Sequence, residues 1–351
     1  MTSTDETPPN RRAIQGLTAL VAFVVALAVG VTLITRTTNR GDGAGASFGV
    51  PLARTFEFAP TLTEMGIFDP SHGIDSLEPA PGFHVYELSS TLYSDGSSKD
   101  RLLSVPEGTV IEPAGDGMVR FPEGSVLVKT FSYEHDERDP DLGRRIIETR
   151  LLVLSGGSWN VATYIWNDAQ DDAFLELEGR TIPITWIDSD GIERSIDYGV
   201  PDENTCVACH QSQQQITPLG PELQFLNFDV ERAGATTNQL AHLVDAGVLT
   251  DLDPTTVAAG IDYLDTTLSI SDRGRAYLDM NCSHCHNPSG WSRPAGEGLD
   301  LRIETPLDQT GILDEHRSMA RNVANGQMPF FGTTTVDPEG LAILEAYFDD
   351  L

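Results

Sequence analysis

The chain has 351 residues, with 22 Lys plus Arg against 53 Asp plus Glu and a formal net charge of −31. That field repels phosphate backbones and argues against nucleic acid as a partner. With 40% hydrophobic residues the chain can bury a core, and at this length more than one domain is expected. Four cysteines are too few for a disulfide scaffold.

Arg11-Arg12 precedes the uncharged segment 13–34. As a helix it would be about 33 Å long, against about 30 Å for a bilayer core. Residues 1–12 therefore read as a cytoplasmic tail and 13–35 as a transmembrane anchor or signal segment. Ala26-Leu27-Ala28 and Ala44-Gly45-Ala46 are the small-residue sites at which a signal would be cleaved. A Gly-rich linker follows over 36–50. Both versions put the remainder on the periplasmic side of a bacterial inner membrane.

Residues 51–200 read as a β-rich domain. Segments 125–133, 145–154, 160–166, 181–187 and 192–198 are β-branched or aromatic, separated by Gly156-Gly157, Glu178-Gly179 and Ser189-Asp190-Gly191. Short Gly-containing connections predict antiparallel neighbours, and the pattern suggests a sandwich or open barrel. After Pro201 helical patterns take over. Thr236 or Thr237 is placed to cap a helix with Leu240, Leu243 and Val244, Ser269 to cap one running into residue 282, and Asp337-Pro338 to open the last. The fold class expected is α+β: an N-terminal membrane anchor helix, an antiparallel β-sandwich or barrel-like domain, and an α-helical C-terminal region, which the cysteine pattern Cys206-Val207-Ala208-Cys209-His210, repeated at Cys282-Ser283-His284-Cys285-His286, marks as a cytochrome c-like haem region.

All four cysteines lie in two copies of one pattern, Cys206-Val207-Ala208-Cys209-His210 and Cys282-Ser283-His284-Cys285-His286. In C-x-x-C-H two thiols can add to the vinyl groups of one haem while the histidine reaches its iron. Zinc or a redox dithiol is the rival reading, but both patterns ending in His would then be coincidence. Two covalently bound haem c groups are expected. Cys206, Cys209, Cys282 and Cys285 are the anchors, with His210 and His286 the proximal ligands. Residues 201–265 form the first haem region and 266–351 the second.

The sixth ligand decides whether an iron passes electrons or also binds small molecules. Met328, 42 residues beyond His286 and followed by Pro329, is the candidate for the second haem, with Met319 its rival. A helix ending in C-x-x-C-H, a Met-Pro loop and a closing helix resemble a small cytochrome c domain. No methionine lies between His210 and Met280. His242 is therefore the candidate at the first haem, beside His72, His84, His135, His284, His316 and an open iron.

Further residues carry a resemblance over roughly 60–351. They are Ser94-Asp95-Gly96 with Lys99 and Arg101, Phe121-Pro122, Val128-Lys129-Thr130-Phe131 and Glu148-Thr149-Arg150-Leu151-Leu152. With them go Thr163-Tyr164-Ile165-Trp166-Asn167, Pro218-Leu219-Gly220-Pro221, Asn238-Gln239-Leu240, Tyr277-Leu278, Asn281-Cys282 and Met328-Pro329. Here the chain resembles a poorly characterised bacterial family of dihaem c-type cytochromes. The resemblance implies a β-rich region, a haem-bearing helical region and electron transfer. Both lysines of the chain, Lys99 and Lys129, fall in these motifs, and either is a candidate partner for a haem propionate. Trp159 and Trp166 are read as core residues rather than haem-edge residues.

The function expected is electron transfer in the cell envelope, with a periplasmic dehydrogenase or respiratory-chain component as redox partner. The acidic surface favours a basic or salt-screened partner. The alternative is a peroxidase-like oxidoreductase with a five-coordinate first haem. A third reading treats the β-rich region as a binding module.

Overall fold

Runs of β-branched and aromatic residues build a central sheet in the computed structural model, which describes residues 55–115, 117–212, 215–290 and 298–351. The strands are β1 (His84–Val85), β2 (Ser98–Ser104), β3 (Glu112–Gly115), β4 (Met118–Arg120), β5 (Val126–Glu134), β6 (Arg144–Ser155) and β7 (Ser158–Trp166). They continue as β8 (Ala173–Glu176), β9 (Arg180–Ile187), β10 (Glu193–Val200), β11 (Gln211–Ser212), β12 (Gln215–Ile216), β13 (Asp229–Arg232) and β14 (Ala235–Asn238). Six of them pair antiparallel in the order β1-β2-β5-β6-β7-β8. Gly156 and Gly157, both at positive φ, make the two-residue turn between β6 and β7, a backbone that β-carbon-bearing residues rarely adopt.

Successive strand residues face opposite sides, and both sides are buried. Leu102, Val128, Leu151, Ala162 and Tyr164 pack under Phe58, Leu62, Ile67 and Ile74 of the preceding segment. Leu103, Leu127, Leu152 and Val161 pack under Val207, Leu223, Leu240 and Leu243, which follow the sheet in sequence. The β9–β10 hairpin covers a further part through Ile184, Tyr198 and Val200.

The helices are α1 (Leu62–Met65), α2 (Glu203–His210), α3 (Leu223–Leu226), α4 (Gln239–Asp245), α5 (Ile270–Cys282), α6 (Ile312–Ala324) and α7 (Pro338–Asp349). Ser269 caps α5 and Asp337 caps α7, as their sequences predict, whereas α4 is capped by Asn238 rather than Thr236 or Thr237. Helices α5 and α7 cross closely because each meets the other's tyrosine with a glycine, Gly274 under Tyr347 and Gly340 under Tyr277. A β-carbon at either glycine would occupy space the opposing ring already fills.

The expected fold class is overturned in two respects. The β-rich part is neither sandwich nor barrel: among the described residues it is one open six-stranded sheet with two separate two-stranded hairpins, β3–β4 and β9–β10, and two more, β11–β12 and β13–β14, follow Pro201. A sandwich needs a second sheet packed face to face, and here irregular chain and short helices fill both faces instead. Apolar residues on both sides of a strand announce burial without saying what does the covering. The anchor expected at 13–35 lies outside the described residues, among which no helix is long and apolar enough to cross a membrane. Second, the part after Pro201 is not one separate helical body: residues 207–249 complete the core of the sheet, while α5, α6 and α7 build an apolar cluster of their own, all within one compact unit.

Candidate functional site

The first motif is held by α2. Asp202 caps the helix by accepting the Thr205 amide at 2.8 Å. Cys206 and Cys209, three residues apart, fall on one helical face. The β11–β12 hairpin then folds back, and His210 Nδ1 donates to the Thr217 carbonyl at 3.0 Å. That bond fixes the ring and leaves the lone pair on Nε2, the arrangement a metal-ligating histidine uses. Burial pushes His210 down to about 4, so its imidazole is neutral at neutral pH, as ligation requires.

His210 and Cys209 line a cavity between the sheet and the C-terminal end of α5. Its empty space, counted with its open mouth, is about 1330 Å³. Arg101, Lys129 and Arg150 line the sheet side, and Asp279, Asn281 and His284 the α5 side. His210 retains accessible surface although protein surrounds it, because that surface faces the cavity. Cys206 packs at the edge of the apolar cluster beneath the sheet.

The second motif begins at the last residue of α5. The His286 amide returns to the Cys282 carbonyl at 2.9 Å, and the His286 carbonyl accepts from the Leu301 amide at 2.9 Å. Cys282, His286, Met319 and Met328 line a second cavity with Leu278, Leu301 and Leu344. The Met328 amide is fastened to the Asn322 carbonyl at the end of α6, at 3.1 Å. One stretch of chain, 278–286, thus supplies walls to both cavities, with Leu278, Cys282 and His286 to the second and Asp279, Met280, Asn281, Ser283 and His284 to the first. Cys285 lies close enough to Cys209 for their charges to interact.

The residues expected at the motifs therefore gather in two neighbouring places, with one separation. His242, on α4, has His84 as its electrostatic neighbour and does not line the His210 cavity. His284 is the histidine that shares that cavity. Its ring nitrogens make no hydrogen bond among the described residues, and Nδ1 is buried. Such a group is costly unless a ligand satisfies it. No sequence signal marked His284, since it occupies a variable position inside the second C-x-x-C-H. Trp159 packs on Phe121 at 5.3 Å and Trp166 in the core, so neither lines a cavity.

All four thiols are free. Burial pushes Cys206 up to about 11 and Cys282 and Cys285 up to about 12, and it raises Cys209 as well. They are protonated at neutral pH, unlike the thiolates of redox dithiols. A zinc site needs about four donors in one place, and no group of three or more His, Cys, Asp or Glu placed to hold a metal ion occurs among the described residues. What the arrangement offers is one histidine and one thiol lining each of two cavities, Cys209 with His210 and Cys282 with His286, and a second soft or imidazole donor facing each: His284 in the first, Met328 in the second.

A buried clamp ties the Met328 loop to the sheet. Asp95, 3% exposed, accepts the amides and hydroxyls of Thr334 and Thr335 at 2.8–3.0 Å. Nearby, the Tyr93 amide donates to Asn281 Oδ1 at 2.8 Å, just before Cys282. Asp95→Ala should strand the two amides and destabilise the chain by about 3 kcal/mol in urea unfolding, with Asp95→Asn recovering part of the loss. A loss below about 1 kcal/mol would show that the loop is held elsewhere.

Compared with known proteins, the chain matches no family model, no curated protein and no solved structure.

Proposed function

We propose that the protein is a dihaem c-type cytochrome that transfers electrons in the bacterial cell envelope, on the extracytoplasmic side of the inner membrane. The observation that carries this reading is the paired geometry: each C-x-x-C-H histidine faces its own enclosed cavity, and a second donor faces the same cavity from another part of the chain. Bound there, two haem c groups would supply one-electron redox chemistry. Cys206 with Cys209, and Cys282 with Cys285, would hold them covalently. His210, oriented by the Thr217 carbonyl, and His286 would ligate the irons from the proximal side. Met328 would be the sixth ligand at the second haem, and His284, rather than His242, at the first.

The stretch 278–286 shared by both cavities favours passage of electrons between the two sites over a short path. The strongly acidic chain favours a basic or salt-screened redox partner, such as a periplasmic dehydrogenase or a respiratory-chain component.

One observation favours the second reading, a peroxidase-like oxidoreductase. Glu222 lines the first cavity, and burial pushes its carboxyl up to about 7, so it can exchange a proton near neutral pH.

Absorption spectroscopy on the full chain, produced with haem maturation, separates the readings. Two haems per chain with no carbon monoxide binding by the reduced protein is the result expected of an electron carrier, and His284→Ala should then open the first haem to carbon monoxide while His242→Ala does not. Carbon monoxide binding to one haem of the unsubstituted protein, with peroxide turnover, would favour the enzyme. A chain that matures without haem would sink both.

A further inference from the structure

The central strands set three cations side by side. Arg101 of β2 stands opposite Lys129 of β5, and Lys129 opposite Arg150 of β6. All three line the first cavity. Directly opposed side chains have β-carbons about 4.5–5.5 Å apart, and like charges so placed are destabilising. Burial makes the arrangement costlier, since Arg101 is only 6% exposed and Lys129 and Arg150 are half-buried.

The compensation visible in the chain is incomplete. Glu148 answers the row, and Arg150 takes it up at 3.0 and 2.5 Å. Arg101 donates to the Lys99 carbonyl at 3.4 Å, while Lys99 itself adds a further positive charge nearby. Lys129 Nζ makes no hydrogen bond or ion pair among the described residues, and its contact is the face of Phe131, 4.9 Å from the ring centroid. Glu222 and Asp279 also line the cavity, but burial pushes their carboxyls up to about 7 and about 6, which weakens them as counter-charges.

We infer that Arg101, Lys129 and Arg150 form a receptor for a carboxylate or similar small oxyanion inside the first cavity. Two guanidinium forks offer paired donors to such a group, which is how buried oxyanions are held strongly. Burial, with Arg101, Lys99 and Arg150 nearby, pushes Lys129 well below its ordinary value, and a bound anion would restore its charge. The anion has two sources: a propionate of a haem at the first motif, or a free carboxylate drawn from solution. The receptor stands on the strand register and the cavity, and only its propionate form rests on the dihaem reading.

The test uses sodium acetate against sodium chloride at equal ionic strength, on the full chain made with and without haem maturation. In the haem-free chain acetate should raise Tm saturably beyond chloride, and Lys129→Gln or Arg101→Gln should weaken that response about tenfold, the loss expected for one charge-assisted hydrogen bond. In the haem-loaded chain the reduction potential of the first haem distinguishes the sources. A downward shift with acetate, lost in Lys129→Gln, identifies a free anion. No response to acetate, but a downward shift caused by Lys129→Gln itself, identifies the propionate. The inference is overturned if acetate acts no differently from chloride on the haem-free chain and neither substitution moves the potential. If maturation yields no haem, the dihaem reading fails while the Tm comparison still decides the receptor.

Discussion

Replacing Glu148 by alanine should destabilise the folded chain by about 3–5 kcal/mol in urea unfolding, the range for removing one partner of a buried ion pair. The Glu148 side chain has no exposure, receives two hydrogen bonds from Arg150 and accepts the Tyr198 hydroxyl at 2.6 Å. Alanine would leave Arg150 without its carboxylate, opposite Lys129, and would strand the Tyr198 hydroxyl. Glu148→Gln keeps the volume and an acceptor but removes the charge, so it should fall between wild type and alanine. Because the pair is enclosed, the loss should persist in high salt, where an exposed pair would be screened. A loss for Glu148→Ala below about 1 kcal/mol would mean that something other than Glu148 neutralises Arg150.

Alanine at both Cys282 and Cys285 should lower the covalent haem content from two groups per chain to one, measured by pyridine haemochrome on the denatured protein. With both thiols gone, no atom remains at that motif to form a thioether, whereas Cys206 and Cys209 are untouched. The double substitution at Cys206 and Cys209 should do the same at the first site. The two variants should then differ in spectrum, since the remaining haem would have Met328 beside it in one and His284 in the other, the donors that line the two cavities. A Cys282→Ala/Cys285→Ala chain that still carries two covalent haems would refute the assignment of the motifs.

The strands were legible because their cause is local. Alternating β-branched and aromatic residues broken by glycine turns point to 125–133, 145–154 and 160–166, and β5, β6 and β7 occupy those stretches within a few residues. Caps were legible for the same reason, since Ser269 and Asp337 act on amides two or three residues away. The sandwich was a wrong extrapolation. Leu102 and Leu103 announce that both faces of the sheet are covered, but the covering chain is the 58–77 segment on one side and 207–249 on the other, neither of which reads as strand.

The candidate site divides along the same line. Composition and motif alone determined the acidic charge, the two C-x-x-C-H groups and the nomination of Met328 as a donor, because each is a property of residue type and spacing. Tertiary structure decided which distant groups meet. It put Met328 with His286, moved His242 away from His210 and brought His284 toward it. It also aligned Arg101, Lys129 and Arg150 across three strands. The physical reason is that strand register and helix crossing are set by burying apolar area over the whole unit. A side chain 50 or 150 residues away in sequence therefore becomes a neighbour through packing that no local pattern encodes.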